Sequence, residues 1–234
     1  MTTVKNKKRI WEIDAVRGFC ILFVILIHFL FDIENFLGIM PPLKNIFDII
    51  QNYGGIIFIF ISGICVFLGS KNFKRGIIVF LCGLIITAAT WIYDPDYIIV
   101  FGILHFLGIS MMLAPLLKKL NNISLMIIGL LIILFGYIAL PSLTPSKFPG
   151  LFAFGFYSEE FESADYFPFI PNLGFFMLGI AAGRKFYIDK KTLFPNFPSD
   201  NIIIRFFSFC GRHSLWIYLI HQPVLMGIIE ILQF

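Results

Sequence analysis

Residues 49–70, IIQNYGGIIFIFISGICVFLGS, run for 22 positions without one charged side chain. About 20 apolar residues in helical form cross the roughly 30 Å hydrocarbon core of a bilayer, so this stretch alone predicts a membrane helix. Further uncharged runs lie on either side of it, at 18–31, 76–93, 97–117, 120–146, 166–183 and 213–229. Together they predict an all-α polytopic transmembrane bundle of about seven spans. The first run counts only 14 residues between Arg17 and Asp32, which asks its ends to snorkel or the bilayer to thin. Residues 35–43, NFLGIMPPL, are too short to cross and hold Pro41-Pro42. They predict an interfacial or re-entrant cap on the outer face.

Composition points the same way. Of 234 residues, 59% are apolar, 14% are charged and 30 are Phe, with a mean hydropathy of +0.90. A soluble domain carries about a quarter charged residues, so a disordered chain, a disulfide scaffold and a nucleic-acid-binding fold are excluded. A single membrane-embedded domain over 1–234 is expected. Cys20, Cys65, Cys82 and Cys210 form no CxxC and no Cys/His metal spacing, and are read as free thiols packing like small hydrophobes. No internal repeat of the kind that builds two-halved transporters is visible.

Charge sets the direction. With a cytoplasmic N-terminus, the inner segments 1–17, 70–76, 118–122 and 184–212 hold 16 of the 18 Lys/Arg. The outer side keeps Lys44 and Lys147 beside ten acids, among them Asp94, Asp96, Glu159, Glu160, Glu162 and Asp165. The positive-inside rule therefore predicts an extracytoplasmic C-terminus after seven crossings. KNKKR before an apolar run looks like a secretory signal, but no small-residue cleavage site follows, and a retained first helix is expected. The Asn122-Ile123-Ser124 sequon falls on the inner side in this topology, where it carries no meaning.

Ionisable groups at membrane depth are functional candidates. His28 lies eleven residues past Arg17, about 16 Å along a helix. His221 lies nine past Arg212, about 13–14 Å. His105 enters from the opposite side at about 10 Å. Three imidazoles at similar depth either converge on a catalytic or relay site or are each satisfied by a backbone carbonyl or hydroxyl. No carboxylate or Cys matches their depth on the same spans, so no metal is expected. Arg9, Arg17, Lys74, Arg75, Arg184, Lys185, Arg205 and Arg212 cluster at inner helix ends. They set orientation and meet anionic lipid, or they bind a phosphorylated ligand. Asp14 stands three residues before Arg17, a spacing at which the two can pair on one helix face. Ser62 can bond a neighbouring His, and the small residues at Gly54-Gly55, Ser62-Gly63 and 179–183 let helices approach closely.

The opening RIWEIDAVRG (9–18) followed by His28 resembles the start of the heparan-alpha-glucosaminide N-acetyltransferase catalytic-domain family, within the transmembrane acyltransferase superfamily. The shared mark of that superfamily is a basic residue, ten intervening residues, then His, as in Arg17 and His28. FIFISGICVFLG (58–69), GILHFLGIS (102–110), FFMLGIAAGR (175–184) and GRHSLWIYLIHQPVL (211–225) extend the likeness to most spans. The resemblance implies a short bacterial-type member in the plasma membrane, passing acetyl from cytosolic acetyl-CoA to an extracytoplasmic acceptor, a sugar or amino-sugar. It implies catalytic roles for His28, His105 and His221, with a midplane His as general base or acetyl carrier, and CoA contacts from Asp14, Arg17, Lys74, Arg75, Arg184 and Arg212. Ser62 and Ser214 would support them. Expected partners are acetyl-CoA, a glycan or other small acceptor, lipid and a second copy of the chain, with no nucleic acid. The rival reading is a small transporter or proton-relay protein; a third is a non-catalytic assembly partner that keeps the fold.

Overall fold

The structure, a computed structural model, describes residues 9–40, 44–144 and 150–232. Pro41-Pro42, Lys147 and the basic residues Lys5, Lys7 and Lys8 lie outside the described residues. The described elements are all helical: α1 (Trp11–Leu37), α2 (Lys44–Leu68), α3 (Asn72–Tyr93), α4 (Ile103–Leu117), α5 (Asn122–Leu143), α6 (Phe169–Phe186), α7 (Ile202–Arg212) and α8 (Ser214–Leu232). Between helices, Phe101 and Tyr166 meet in one isolated β-bridge among the described residues.

Among the described residues, five helices are long and apolar enough to cross a membrane: α1, α2, α3, α5 and α8. A helix is what such sequence must form in lipid, because it satisfies every backbone group internally. α4 is apolar but spans 15 residues. α6 is an 18-residue segment with a non-helical break at Ile170 and carries Arg184 and Lys185 near its end. One sequence expectation is corrected here. α1 is not a short span between two boundary charges but a 27-residue helix, about 40 Å long. Arg17 and Asp32 both sit inside it. It stops at Gly38, whose φ of 68° and N–H contacts to the carbonyls of Glu34 and Ile33 make a left-handed C-cap.

The chain divides into two compact units, Met1–Asn52 with Lys185–Phe234, and Tyr53–Arg184. In the first unit α7 packs across α1 at backbone distance. A methyl on Gly18 would strike the Phe207 carbonyl, and one on Gly211 would strike the Asp14 carbonyl. The stretch 184–212, expected as an inner connecting segment, therefore contains a helix with two faces. Ser208, Cys210 and Gly211 are buried, while Ile202, Ile203, Phe206 and Phe209 are exposed. The residues before α7 fold onto the start of α1. Buried Glu12 accepts from Thr192 Oγ1 and from the Leu193 N–H, both at 2.8 Å, and Trp11 stacks on Phe197 at 5.1 Å.

The second unit is held by small residues. Gly63 faces Gly179, Gly129 faces Gly174, and Gly76 and Gly108 bring α3 and α4 together, as close helix packing in a membrane requires. Three of its helices end together. Lys118 Nζ donates to the Gly69 carbonyl at 2.8 Å. The Arg184 guanidinium donates to the carbonyls of Leu120 and Lys118 at 2.7 and 3.0 Å. The C-terminal ends of α2, α4 and α6 are thus gathered by two cations on carbonyl groups that a helix end leaves unpaired. At the opposite end of α4, Asp165 Oδ2 accepts the Ile103 N–H at 3.0 Å. Tyr166 donates to the Phe152 carbonyl at 2.5 Å.

Candidate functional site

Three contacts join α1 to α8 in the first unit. Arg17 Nη2 donates to Ser214 Oγ at 2.6 Å. The His28 and His221 rings meet edge-on, with centroids 5.0 Å apart and planes at 65°. Gln222 Nε2 donates to both carboxylate oxygens of Asp32, at 3.2 and 3.0 Å. These pairs ascend both helices in the same order, so α1 and α8 run parallel. The order also stacks three chemistries along one seam: a cation with a hydroxyl, a pair of imidazoles, then a carboxylate with an amide.

His221 is 8% exposed. Its Nδ1 lies 2.5 Å from the Tyr218 carbonyl. A carbonyl only accepts, so Nδ1 carries the proton and Nε2 presents a bare lone pair. That Nε2 is buried with no hydrogen-bond partner. His28, half-buried, stands against it from α1.

Asp32, in the sequence the charge that bounds the first run, is a buried carboxylate on the same seam as the histidines. It lies one turn from His28 on the same face of α1 and is 1% exposed. Sequence reasoning missed Asp32 and Gln222 because it took Asp32 as the charge that ends the first span. The signal was present in the spacing His28-x-x-x-Asp32, which places both on one helix face, and in Gln222 next to His221.

The basic residues divide. Arg9, Arg17 and Arg212 lie around Asp14. Asp14 pairs with Arg9, at 3.8 Å, rather than with Arg17 as its spacing predicts, because the Arg17 guanidinium is turned to Ser214. Arg212 is exposed at the end of α7. Lys74 and Arg75 are exposed on the first turn of α3, in the second unit. Arg184 is committed to the two carbonyls already described. Ser62, expected beside a histidine, donates to the Phe58 carbonyl of its own helix at 2.8 Å.

His105 belongs to the second unit and is 3% exposed. Thr87 Oγ1 lies 3.3 Å from its Nε2 and itself donates to the Ile99 carbonyl at 2.5 Å. The hydroxyl's proton is thus spent, and Nε2 must be the donor. Nδ1 is left buried without a partner. Phe101 stacks on the ring at 5.8 Å and Phe80 meets it edge-on at 5.7 Å. Among the described residues no group of three or more His, Cys, Asp or Glu is placed to hold a metal ion.

The heparan-alpha-glucosaminide N-acetyltransferase catalytic family matches residues 9–223. The chain belongs to that family. The match starts at Arg9 and ends one residue beyond Gln222, so it takes in the whole α1–α8 seam and His105. No curated protein and no solved structure matches the chain at a significant level. Membership of this family, together with five membrane-length apolar helices, makes the protein an integral membrane acyltransferase. The family as a whole draws acetyl from acetyl-CoA and delivers it to a glycan.

Proposed function

We propose that the protein transfers acetyl from cytosolic acetyl-CoA to an extracytoplasmic acceptor, a sugar or amino-sugar, along the seam between α1 and α8. The observation that carries the proposal is the His28–His221 pair, set between Arg17–Ser214 and Asp32–Gln222. Arg17, with Arg9 and Arg212 about the same carboxylate, supplies the positive charge that CoA phosphates seek. Ser214 holds the guanidinium in place. The thioester then points along the seam to the imidazoles. His28 acts as general base on the acceptor's N–H or O–H. The new bond forms between that heteroatom and the acetyl carbonyl carbon, the carbon–sulfur bond breaks, and the CoA thiolate recovers the proton from His28. His221, fixed as the Nδ1–H tautomer, keeps an acceptor nitrogen turned away from Tyr218. His105 retains an unpartnered nitrogen and is a second-rank acid–base candidate.

The same reading includes seven spans with the N-terminus inside and the C-terminus outside. Parallel α1 and α8 require an odd number of crossings between them. α2, α3 and α5 give three; α4 and α6 must then cross together or not at all. Their C-terminal ends meet that of α2 beneath Lys118 and Arg184, which supports all three descending to one basic face, and with them a total of seven. Lys74 and Arg75, exposed at the start of α3, fit that inner face as orientation-setting charges.

Binding of acetyl-CoA to purified protein in detergent tests the reading. Micromolar affinity in the wild type, lost in Arg17→Ala, supports a donor site at the start of α1. No binding by a monodisperse wild type defeats it. A second reading is kept by Asp32: a buried carboxylate beside two imidazoles is also what a proton relay needs. It predicts pH-driven flux in liposomes without acetyl-CoA.

A further inference from the structure

Asp32 holds a carboxylate inside a membrane-length helix, and the partner it is given is a neutral amide. A carboxylate has about four lone-pair sites, of which Gln222 fills two at 3.2 and 3.0 Å. The amide offers nothing in return to its own surroundings: Gln222 Oε1 is buried without a partner. One residue before it, His221 Nε2 is also buried and bare, in a side chain that is 8% exposed. Two buried acceptors on α8 therefore lack donors, beside a carboxylate on α1 whose four lone-pair sites are only half filled. Buried polar groups are almost always paired, and ionisable groups in membrane helices face partners or cavities. A purely structural contact between Asp32 and Gln222 accounts for the amide nitrogen and leaves the other acceptors unexplained.

We propose that Asp32, Gln222 and the Nε2 of His221 form the subsite that binds the acyl acceptor and selects it for carrying several N–H or O–H donors. This deepens the acyl-transfer reading and rests on it. The subsite lies one turn past His28 towards the C-terminal end of α1, on the side away from Arg17, so donor and acceptor meet the imidazole from opposite ends. Asp32 and Gln222 exchange no bonds in the reaction. They hold neighbouring donors of the acceptor so that one N–H or O–H faces His28. An amine or a pair of adjacent hydroxyls satisfies the set; a lone alcohol satisfies one member and leaves the rest unpaired. Sites built this way reject ligands that lack the donors far more strongly than apolar pockets reject a missing methylene.

The test uses the full chain in detergent with radiolabelled acetyl-CoA, and glucosamine, glucose and cyclohexanol as acceptor probes. Donor affinity is measured first, without acceptor. The expected result is transfer to at least one of the two sugars with kcat/KM about a hundredfold or more above cyclohexanol. In Asp32→Asn the KM for that sugar rises about tenfold or more, with kcat and acetyl-CoA affinity little changed, which a merely structural role would not produce. Gln222→Leu should act the same way and carries the test if Asp32→Asn does not fold. Unchanged sugar KM in both variants overturns the proposal while leaving acyl transfer intact. So does a wild type that binds acetyl-CoA but uses neither sugar, or uses cyclohexanol as well as them. A wild type that fails to bind acetyl-CoA instead defeats the acyl-transfer reading, and the donor arm shows this before any acceptor is added.

Discussion

The two histidine settings differ in what surrounds an otherwise similar bare nitrogen. In the first unit His221 is pinned through Nδ1 to the Tyr218 carbonyl and meets His28 edge-on, one turn from a buried carboxylate and its amide. In the second, His105 is pinned through Nε2 to Thr87 and faced by Phe101, Phe80 and Gly83. Burial of the ring is common to both. Partner chemistry is not, and it is partner chemistry that lets an imidazole take a proton from one molecule and give it to another. The comparison therefore ranks the histidines in a way that burial alone does not.

The largest expected effect breaks or keeps that ranking directly. His28→Ala should lower transfer about a hundredfold or more, the scale of a lost general base, while the protein remains monodisperse. His105→Ala should cost about tenfold or less on the same turnover assay. Equal losses would dissolve the distinction between the two settings, and retained activity in His28→Ala would remove His28 from the chemistry.

Next comes the comparison between two arginines that look alike in sequence. Arg17→Ala removes the cation at the start of the α1–α8 seam and should weaken acetyl-CoA binding about tenfold to a hundredfold, the value of one or two hydrogen bonds to a charged group. Arg184→Ala instead frees the carbonyls of Lys118 and Leu120. It should lower thermal stability by about 1–3 kcal/mol and weaken acetyl-CoA binding far less. Titration of acetyl-CoA against both variants, with melting curves in the same detergent, separates the two roles.

That pair also marks how far the sequence could be read. The uncharged runs located every long helix, because a lipid-spanning helix must be apolar over about 20 residues and no tertiary context can hide such a run. What it misjudged were the charges at the ends of runs. Asp32 looked like a boundary and is buried inside α1; the hold of Arg184 on the Lys118 and Leu120 carbonyls has no sign in the sequence. A boundary charge and a buried one read identically along a chain, and only a partner from a distant helix, here Gln222 190 positions away, tells them apart. The Arg17-to-His28 spacing was legible because both residues lie on one helix. The facing Ser214 and His221 come from the far end of the chain, and sequence supplied their identity but not their pairing. α7 was hidden for another reason: it is amphipathic rather than apolar, so a search for membrane-length runs passes over it.

The two close crossings of α1 give a smaller test of the first unit. Gly18→Ala places a methyl against the Phe207 carbonyl, and overpacking of this kind costs about 1–3 kcal/mol. Gly227→Ala meets nothing within 4 Å and should leave stability unchanged or slightly raised, since Ala is the better helix former. If both variants melt alike, backbone contact between α1 and α7 is not what positions Arg17.

The smallest effect concerns the proton inventory of the second setting. Thr87→Val keeps the shape of the side chain and removes the hydroxyl that accepts from His105 Nε2 and donates to the Ile99 carbonyl. The imidazole then loses its one hydrogen bond among the described residues, and the Ile99 carbonyl loses a donor. Stability should fall by about 1–3 kcal/mol, the usual cost of stranding a buried polar group. Turnover should change less than in His105→Ala, since the ring itself remains. A rotated imidazole would present Nε2 where Nδ1 now lies, so a Thr87→Val protein that loses as much activity as His105→Ala would mean that the tautomer, and not merely the ring, matters in the second unit. His105 would then rank with His221 as an imidazole held in one proton state for use.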